Sequence, residues 1–257
     1  MKNNKNIPEP GKRQAHLRQN LDYLKLSFML DQHEDLAKQA ALKHWSHVGY
    51  LDRLAEGEAA LRRDRSIQRR IRLARFPVIK TLEQFRWTWP KTINRLQVQN
   101  LFRLQFIQNK SNVIFLGGVG LGKTHLASAL GYQACLQGNS VLFATAIDVI
   151  NTLSAAQASG RLKQELKKYT RPSLFILDEL GYLPIDKLGA DLLFQVISLR
   201  YEQGTLIITS NRAFKDWSEI FNNDSTLTSA ILDRLLHHAE TVVIEGKSYR
   251  MKDRIPA

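Results

Sequence analysis

The chain has 257 residues, 44% of them hydrophobic and 24% charged, with a formal net charge of +13. That composition excludes a disordered or fibrous chain, and no apolar run approaches the roughly 20 residues a membrane-spanning helix needs. A single cysteine, Cys135, excludes an internal disulfide and fits a reducing, cytoplasmic setting, and the polar start from Met1 to Gly11 lacks the apolar core of a secretory signal.

The first part of the chain reads as helical. Leu17, Leu21, Leu24 and Phe28, spaced 4, 3 and 4, make one apolar stripe. A second helical segment runs from about Asp35 through Trp45, with a break expected at Gly49. A third runs from Leu51 to Arg75, where Phe76-Pro77 ends it, because proline restricts the residue before it and cannot continue a helix. Residues 1–76 are thus expected to form a small helical domain, and residues 77–111, with Trp87, Trp89 and Pro90, a linker into the core.

From residue 112 the pattern alternates. Strands are expected at Asn112–Leu116, Ser140–Ala144, Ser173–Leu177, Leu206–Thr209 and Thr241–Ile244. Helices are expected at His125–Gln137, Ala146–Leu153, Arg161–Tyr169, Asp191–Tyr201 and Thr228–His238. Apolar strands alternating with helices predict an α/β fold, a five-stranded parallel sheet covered on both faces, over residues 112–257. Cys135 falls in the first of these helices as a packed side chain rather than a nucleophile.

Gly117-Gly118-Val119-Gly120-Leu121-Gly122-Lys123-Thr124 matches G-x-x-x-x-G-K-[ST], between a predicted strand and a predicted helix that opens near His125. Its glycines let backbone N–H groups curl around a phosphate, Lys123 reaches the β- and γ-phosphates, and the Thr124 hydroxyl suits Mg²⁺. A nucleoside triphosphate, ATP, is the expected ligand, held by the residues from Gly117 through His125. Fifty-five positions after Lys123, the strand Leu174–Leu177 ends in Asp178-Glu179. Asp178 is expected to hold Mg²⁺ opposite Thr124, and Glu179 to polarise the attacking water as general base. The acid pair favours hydrolysis over phosphoryl transfer to a metabolite. Asn211, after the strand ending at Thr209, is a candidate for orienting that water. Arg234, on an otherwise apolar helix, reads either as a surface partner of Asp233 or as an arginine finger offered to a neighbouring subunit.

Together, Asn112–Thr124, Asp178-Glu-Leu-Gly-Tyr-Leu-Pro184, Arg200-Tyr-Glu202, Thr209-Ser-Asn211, Ala230–His238 and Gly246-Lys-Ser-Tyr-Arg250 resemble the IstB-like family of AAA+ ATPases. The likeness runs from about residue 75 onward. It implies P-loop NTPase architecture and ATP-dependent homo-oligomers on DNA, with nucleotide sites between subunits, that recruit or regulate a transposase. By resemblance Lys123 and Thr124 are phosphate-loop residues, Asp178 and Glu179 the Walker B acids, Asn211 sensor 1, Arg234 the finger and Arg250 a sensor-2-like arginine. Gly118 stands where the family often has proline and Leu121 where it usually has threonine. The 13 residues after Ile244 are too few for a full helical lid.

Residues 1–100 hold 20 Lys and Arg against 10 Asp and Glu, while residues 101–257 hold 17 against 14. Such asymmetry points to a polyanion bound by the first part, nucleic acid before membrane. Arg62, Arg63, Arg65, Arg69, Arg70, Arg72 and Arg75 face one acid, Asp64, in 14 positions. The guanidinium fork suits phosphate. By resemblance to initiators and loaders, Arg161, Lys163, Lys167 and Lys168 also face DNA. Nothing resembles a base-reading module, so binding to double-stranded DNA is expected to be weakly sequence-specific and salt-sensitive. The leading reading is an ATPase that assists insertion-sequence transposition. The alternatives are a DnaC-type helicase loader and a non-catalytic DNA scaffold that uses ATP only to assemble.

Overall fold

The computed structural model describes residues 10–251, which divide into two compact units at Gln68/Arg69. The first holds α1 (Pro10–Tyr23), α2 (Ser27–Leu42) and most of α3 (His47–Ala74). The Leu17–Phe28 stripe is split between α1 and α2, because Lys25 adopts a left-handed φ of 54° and turns the chain. The next break falls at Lys43–Ser46, ahead of Gly49. His44 has φ 53°, and the Ser46 hydroxyl accepts the Gly49 N–H, so the helix restarts there.

Within this unit Glu58 is buried, its carboxylate accepting the Phe28 N–H at 2.8 Å and Arg62 Nε at 3.1 Å. The first bond satisfies a donor at the start of α2, which has no side-chain cap of its own. Gly57 lies against the Phe28 ring, where any Cβ would collide with it.

The second unit begins in the last turn of α3. It continues through α4 (Arg95–Leu101), α5 (Gln105–Gln108), β1 (Asn112–Gly117), α6 (Lys123–Leu136), β2 (Val141–Thr145), α7 (Ala146–Ala158) and α8 (Leu162–Thr170). It ends with β3 (Leu174–Leu180), α9 (Lys187–Arg200), β4 (Thr205–Ser210), α10 (Trp217–Ile220), α11 (Ser225–Leu236) and β5 (Ala239–Ile244). All four strand pairings are parallel, in the order β2-β3-β4-β1-β5. The three central strands are buried almost throughout, whereas edge strand β5 alternates. A strand covered on both faces must be apolar along its length, and an edge strand need not be. One apolar layer packs α7, α9 and α11 on the sheet, and the other packs α4, α6 and the last turn of α3.

Residues 77–111 carry α4 and α5 and belong to this unit rather than standing apart as a linker. Phe85, Val98, Leu101, Leu104 and Phe106 are buried in the α6-side layer. Thr92 pairs with Glu245 in an antiparallel bridge just beyond β5. The alternation of aromatic and polar residues here has no single period, so burial by tertiary contact left little trace in the pattern.

Candidate functional site

The strand order brings the C-terminal ends of β1, β4 and β3 side by side. The loop after β1 turns at Gly120 (φ 75°) and Gly122 (φ 91°). A Cβ at Gly122 would stand 2.6 Å from the Phe85 ring, so close packing as well as φ demands glycine there. Leu121 is buried in the α6-side layer, whereas Val119 is half-exposed. The departure at Leu121 therefore faces the core and takes nothing from the loop.

Lys123 opens α6, and its ammonium donates to the carbonyls of Gly117 and Gly118, each at 2.7 Å. Burial lowers its pKa, Asp178 and Glu179 oppose that, and Arg250 adds to it. The Thr124 hydroxyl stands 3.0 and 3.1 Å from the two Asp178 carboxylate oxygens. Burial pushes the Asp178 carboxyl up, against the hydrogen bonds from Thr209 and Thr124 that hold it down. An acidic oxygen pair beside a hydroxyl is a hard-donor set suited to Mg²⁺.

Thr209, near the end of β4, stands beside both acids. Its hydroxyl donates to Asp178 Oδ1 at 2.6 Å and accepts the Glu179 N–H at 3.0 Å. The β3–β4 register shifts between Leu177 and Leu180, and Glu179 has φ 60°. The bulge turns the exposed Glu179 away from the ladder, and Thr209 satisfies the N–H that the ladder loses.

A cleft of about 960 Å³ runs over the loop, with Lys123, Thr124, Glu179, Asn211 and Arg250 in its walls. The segments on either side close it. Trp89 Nε1 donates to the Lys247 carbonyl at 2.8 Å, the Trp89 and Tyr249 rings meet edge-on at 5.3 Å, and the Tyr249 N–H donates to the Gly120 carbonyl at 2.9 Å. His125 Nε2 bonds the Thr81 carbonyl at 2.9 Å beneath Phe85, and burial lowers its pKa. The only sequence signal for Phe85 and Trp89 was three aromatics in five positions.

The model of the IstB-like ATP binding protein family matches residues 19–257. The chain belongs to that family. Among its relatives, this IstB-like chain is 42% identical over 234 residues to a protein of insertion sequence IS21 from Pseudomonas aeruginosa that is named for ATP binding. That match covers 91% of this chain and 88% of the relative. It is 39% identical over 231 residues to the corresponding protein of IS5376 from Geobacillus stearothermophilus, covering 90% and 92%. Among solved structures, the DnaC helicase loader superposes with a TM-score of 0.52 at 23% identity, over 64% of this chain and 96% of that one. AMPPCP-bound DnaA from Aquifex aeolicus gives 0.56 at 21%, over 70% and 54%. At such identities these two show a shared fold and nothing finer.

In the IstB-like fold Arg234 lies away from this cleft. It shares a recess with Asn112 and Leu206, near the start of β1 and β4, at the opposite end of the strands. Its guanidinium donates to the Ala230 carbonyl at 2.8 Å and lies 4.9 Å over the Phe194 ring, not against Asp233.

The arginines of α3 divide. Arg62 also donates to the Lys25 carbonyl, Arg65 to the Ser27 hydroxyl, and Arg70 Nε to the Cys135 carbonyl at the end of α6. Arg63, Arg69 and Arg72 are exposed and make no hydrogen bond or ion pair with the described residues. Arg75 is exposed just past the helix, with φ 61°. On α8, Lys168 pairs with Glu165 at 2.6 Å, Arg161 bonds the Ser159 hydroxyl, and Lys163 and Lys167 are exposed. Among the described residues, no helix is long and apolar enough to cross a membrane.

Proposed function

We propose that this chain is a cytoplasmic ATPase that binds double-stranded DNA and assists insertion-sequence transposition. It would assemble with ATP into oligomers that recruit or regulate a transposase. The observation that carries this is the Asp178 carboxylate, gripped by Thr124 from the phosphate loop and by Thr209 from β4. That contact joins the element read as holding the triphosphate to the acid pair read as hydrolytic, at the C-terminal ends of β3 and β4.

In this reading the loop amides of residues 118–122, Lys123 and the N-terminus of α6 hold the phosphates. Thr124 and Asp178 would hold Mg²⁺, which when bound neutralises charge building on the phosphate oxygens. Glu179 takes a proton from the attacking water, its φ of 60° aiming the carboxylate into the cleft, and Asn211 orients that water. Arg250, close enough to perturb Lys123, touches the same phosphates. Arg234, at the far end of its own sheet's strands, completes the site of the next subunit. Exposed Arg63, Arg69 and Arg72, together with Lys163 and Lys167, take DNA phosphates. Arg62, Arg65 and Arg70 have structural bonds as well.

The deciding experiment is Glu179→Gln. ATP and DNA binding should persist while turnover falls by about 100-fold or more, the span expected of a general base. Unchanged turnover would remove Glu179 from this role, and absence of turnover in the parent protein would favour the scaffold reading.

A further inference from the structure

We propose that Glu202, His237 and His238 form a zinc-binding site that ties the end of α9 to the end of α11. One ligand atom from each lies within 4.8 Å of the others, and His237 Nδ1 is 3.9 Å from Glu202 Oε1. The two imidazoles lie with ring centroids 4.1 Å apart. Two histidines and one carboxylate, with a fourth position left to water, are a recurring donor set for zinc. Bonds of about 2.0–2.1 Å put tetrahedral ligands roughly 3.4 Å apart. All three side chains are exposed, so rotamer shifts of about 1 Å close the site.

The helix end favours a cation there. Both histidines follow α11 directly, where the unpaired carbonyls of a 12-residue helix concentrate negative potential. Glu202 occupies a left-handed conformation, φ 56°, just beyond α9, a backbone position that glycine or asparagine fills at lower cost.

The surrounding charges are mixed. Arg234 and Lys110 line the recess that Glu202 and His238 share, and Asp233 lies near Tyr201. The Tyr201 hydroxyl is 2.9 Å from His237 Nδ1, so zinc displaces that hydrogen bond if it takes this nitrogen. The site lies one turn beyond Arg234, so a bound ion stiffens the end of α11 that carries it. Imidazole ligands select zinc over magnesium, which separates this site from Thr124 and Asp178.

The test is equilibrium dialysis of full-length protein, stripped with chelator, against Zn²⁺ in millimolar Mg²⁺. One zinc per chain is expected. His237→Ala, His238→Ala and Glu202→Gln should each weaken binding at least tenfold, while His16→Ala and His47→Ala leave it unchanged. Zinc should also raise the melting temperature of the parent and not of the three variants. Equal binding by parent and variants, or equal loss in the two control variants, would overturn the assignment. So would a Glu202→Gln protein with parental affinity.

Discussion

Thr209 donates to Asp178 Oδ1 at 2.6 Å while accepting the N–H of Glu179 at 3.0 Å, so one hydroxyl from β4 fixes both acids at the end of β3. Thr209→Val keeps the shape and removes both bonds. Leaving a buried carboxylate and an N–H short of a partner costs about 1–3 kcal/mol each. We expect a melting temperature lower by several degrees and turnover reduced about tenfold or more, with ATP affinity changed less. Turnover at the parental level would show that Thr209 only packs.

Asp178 should be a site where stability has been given up for function. Burial raises its pKa, so the folded state favours the protonated acid more than the unfolded state does. For a raised carboxyl, stability falls as pH climbs from the unfolded value through the folded one, and the loss is complete above it. Asp178→Asn removes that penalty. Without ligand at neutral pH it should melt no lower than the parent, and it should lose Mg²⁺-dependent turnover. A large drop in ligand-free melting temperature would contradict this account.

Arg234 is expected to act across subunits. Arg234→Ala should bind ATP with parental affinity and hydrolyse it about 10³-fold more slowly. Mixing it with Lys123→Ala, also inactive alone, should restore part of the activity, because mixed interfaces pair an intact loop with an intact finger. Absence of any rescue, with mixed oligomers verified by cross-linking, would rule out action in trans.

The arginines of α3 should separate by role. Arg70→Ala removes the bond to the Cys135 carbonyl and should lower the melting temperature. Arg69 and Arg72 make no hydrogen bond or ion pair with the described residues, so Arg69→Ala and Arg72→Ala should leave stability unchanged. Each should instead reduce the slope of log affinity for DNA against log salt by about 1. Unchanged slopes would place DNA elsewhere on the surface.

Cys135 is fully buried, and its thiol is pushed up to about 11 by that burial, slightly opposed by Arg70. At pH 8 the thiolate is a fraction of about 10⁻³. A thiol-specific chromogenic reagent should react with native protein far more slowly than with protein in denaturant. Equal rates would mean that α6 opens freely.

The phosphate loop was readable from residues 117–124 because its mechanism depends on local backbone geometry, which a short motif specifies. The parallel sheet was readable because its central strands must be apolar on both faces. The α1–α2 corner was not, since a left-handed Lys25 leaves no mark in hydrophobic spacing. The packing of residues 77–111 was equally silent: Phe85 acquires its meaning from a glycine 37 positions later.

Sequence alone therefore determined the fold class, the nucleotide loop and the acids at the end of β3, each carried by neighbouring residues with a fixed periodicity or spacing. Tertiary structure decided the rest. It set Thr209 between the two acids, drew Trp89 and Tyr249 over the loop and held Arg234 at the opposite end of the strands. It also gathered Glu202 with a histidine pair 35 positions away. These relationships join residues far apart in the chain, and only the order in which strands pair brings them within bonding distance.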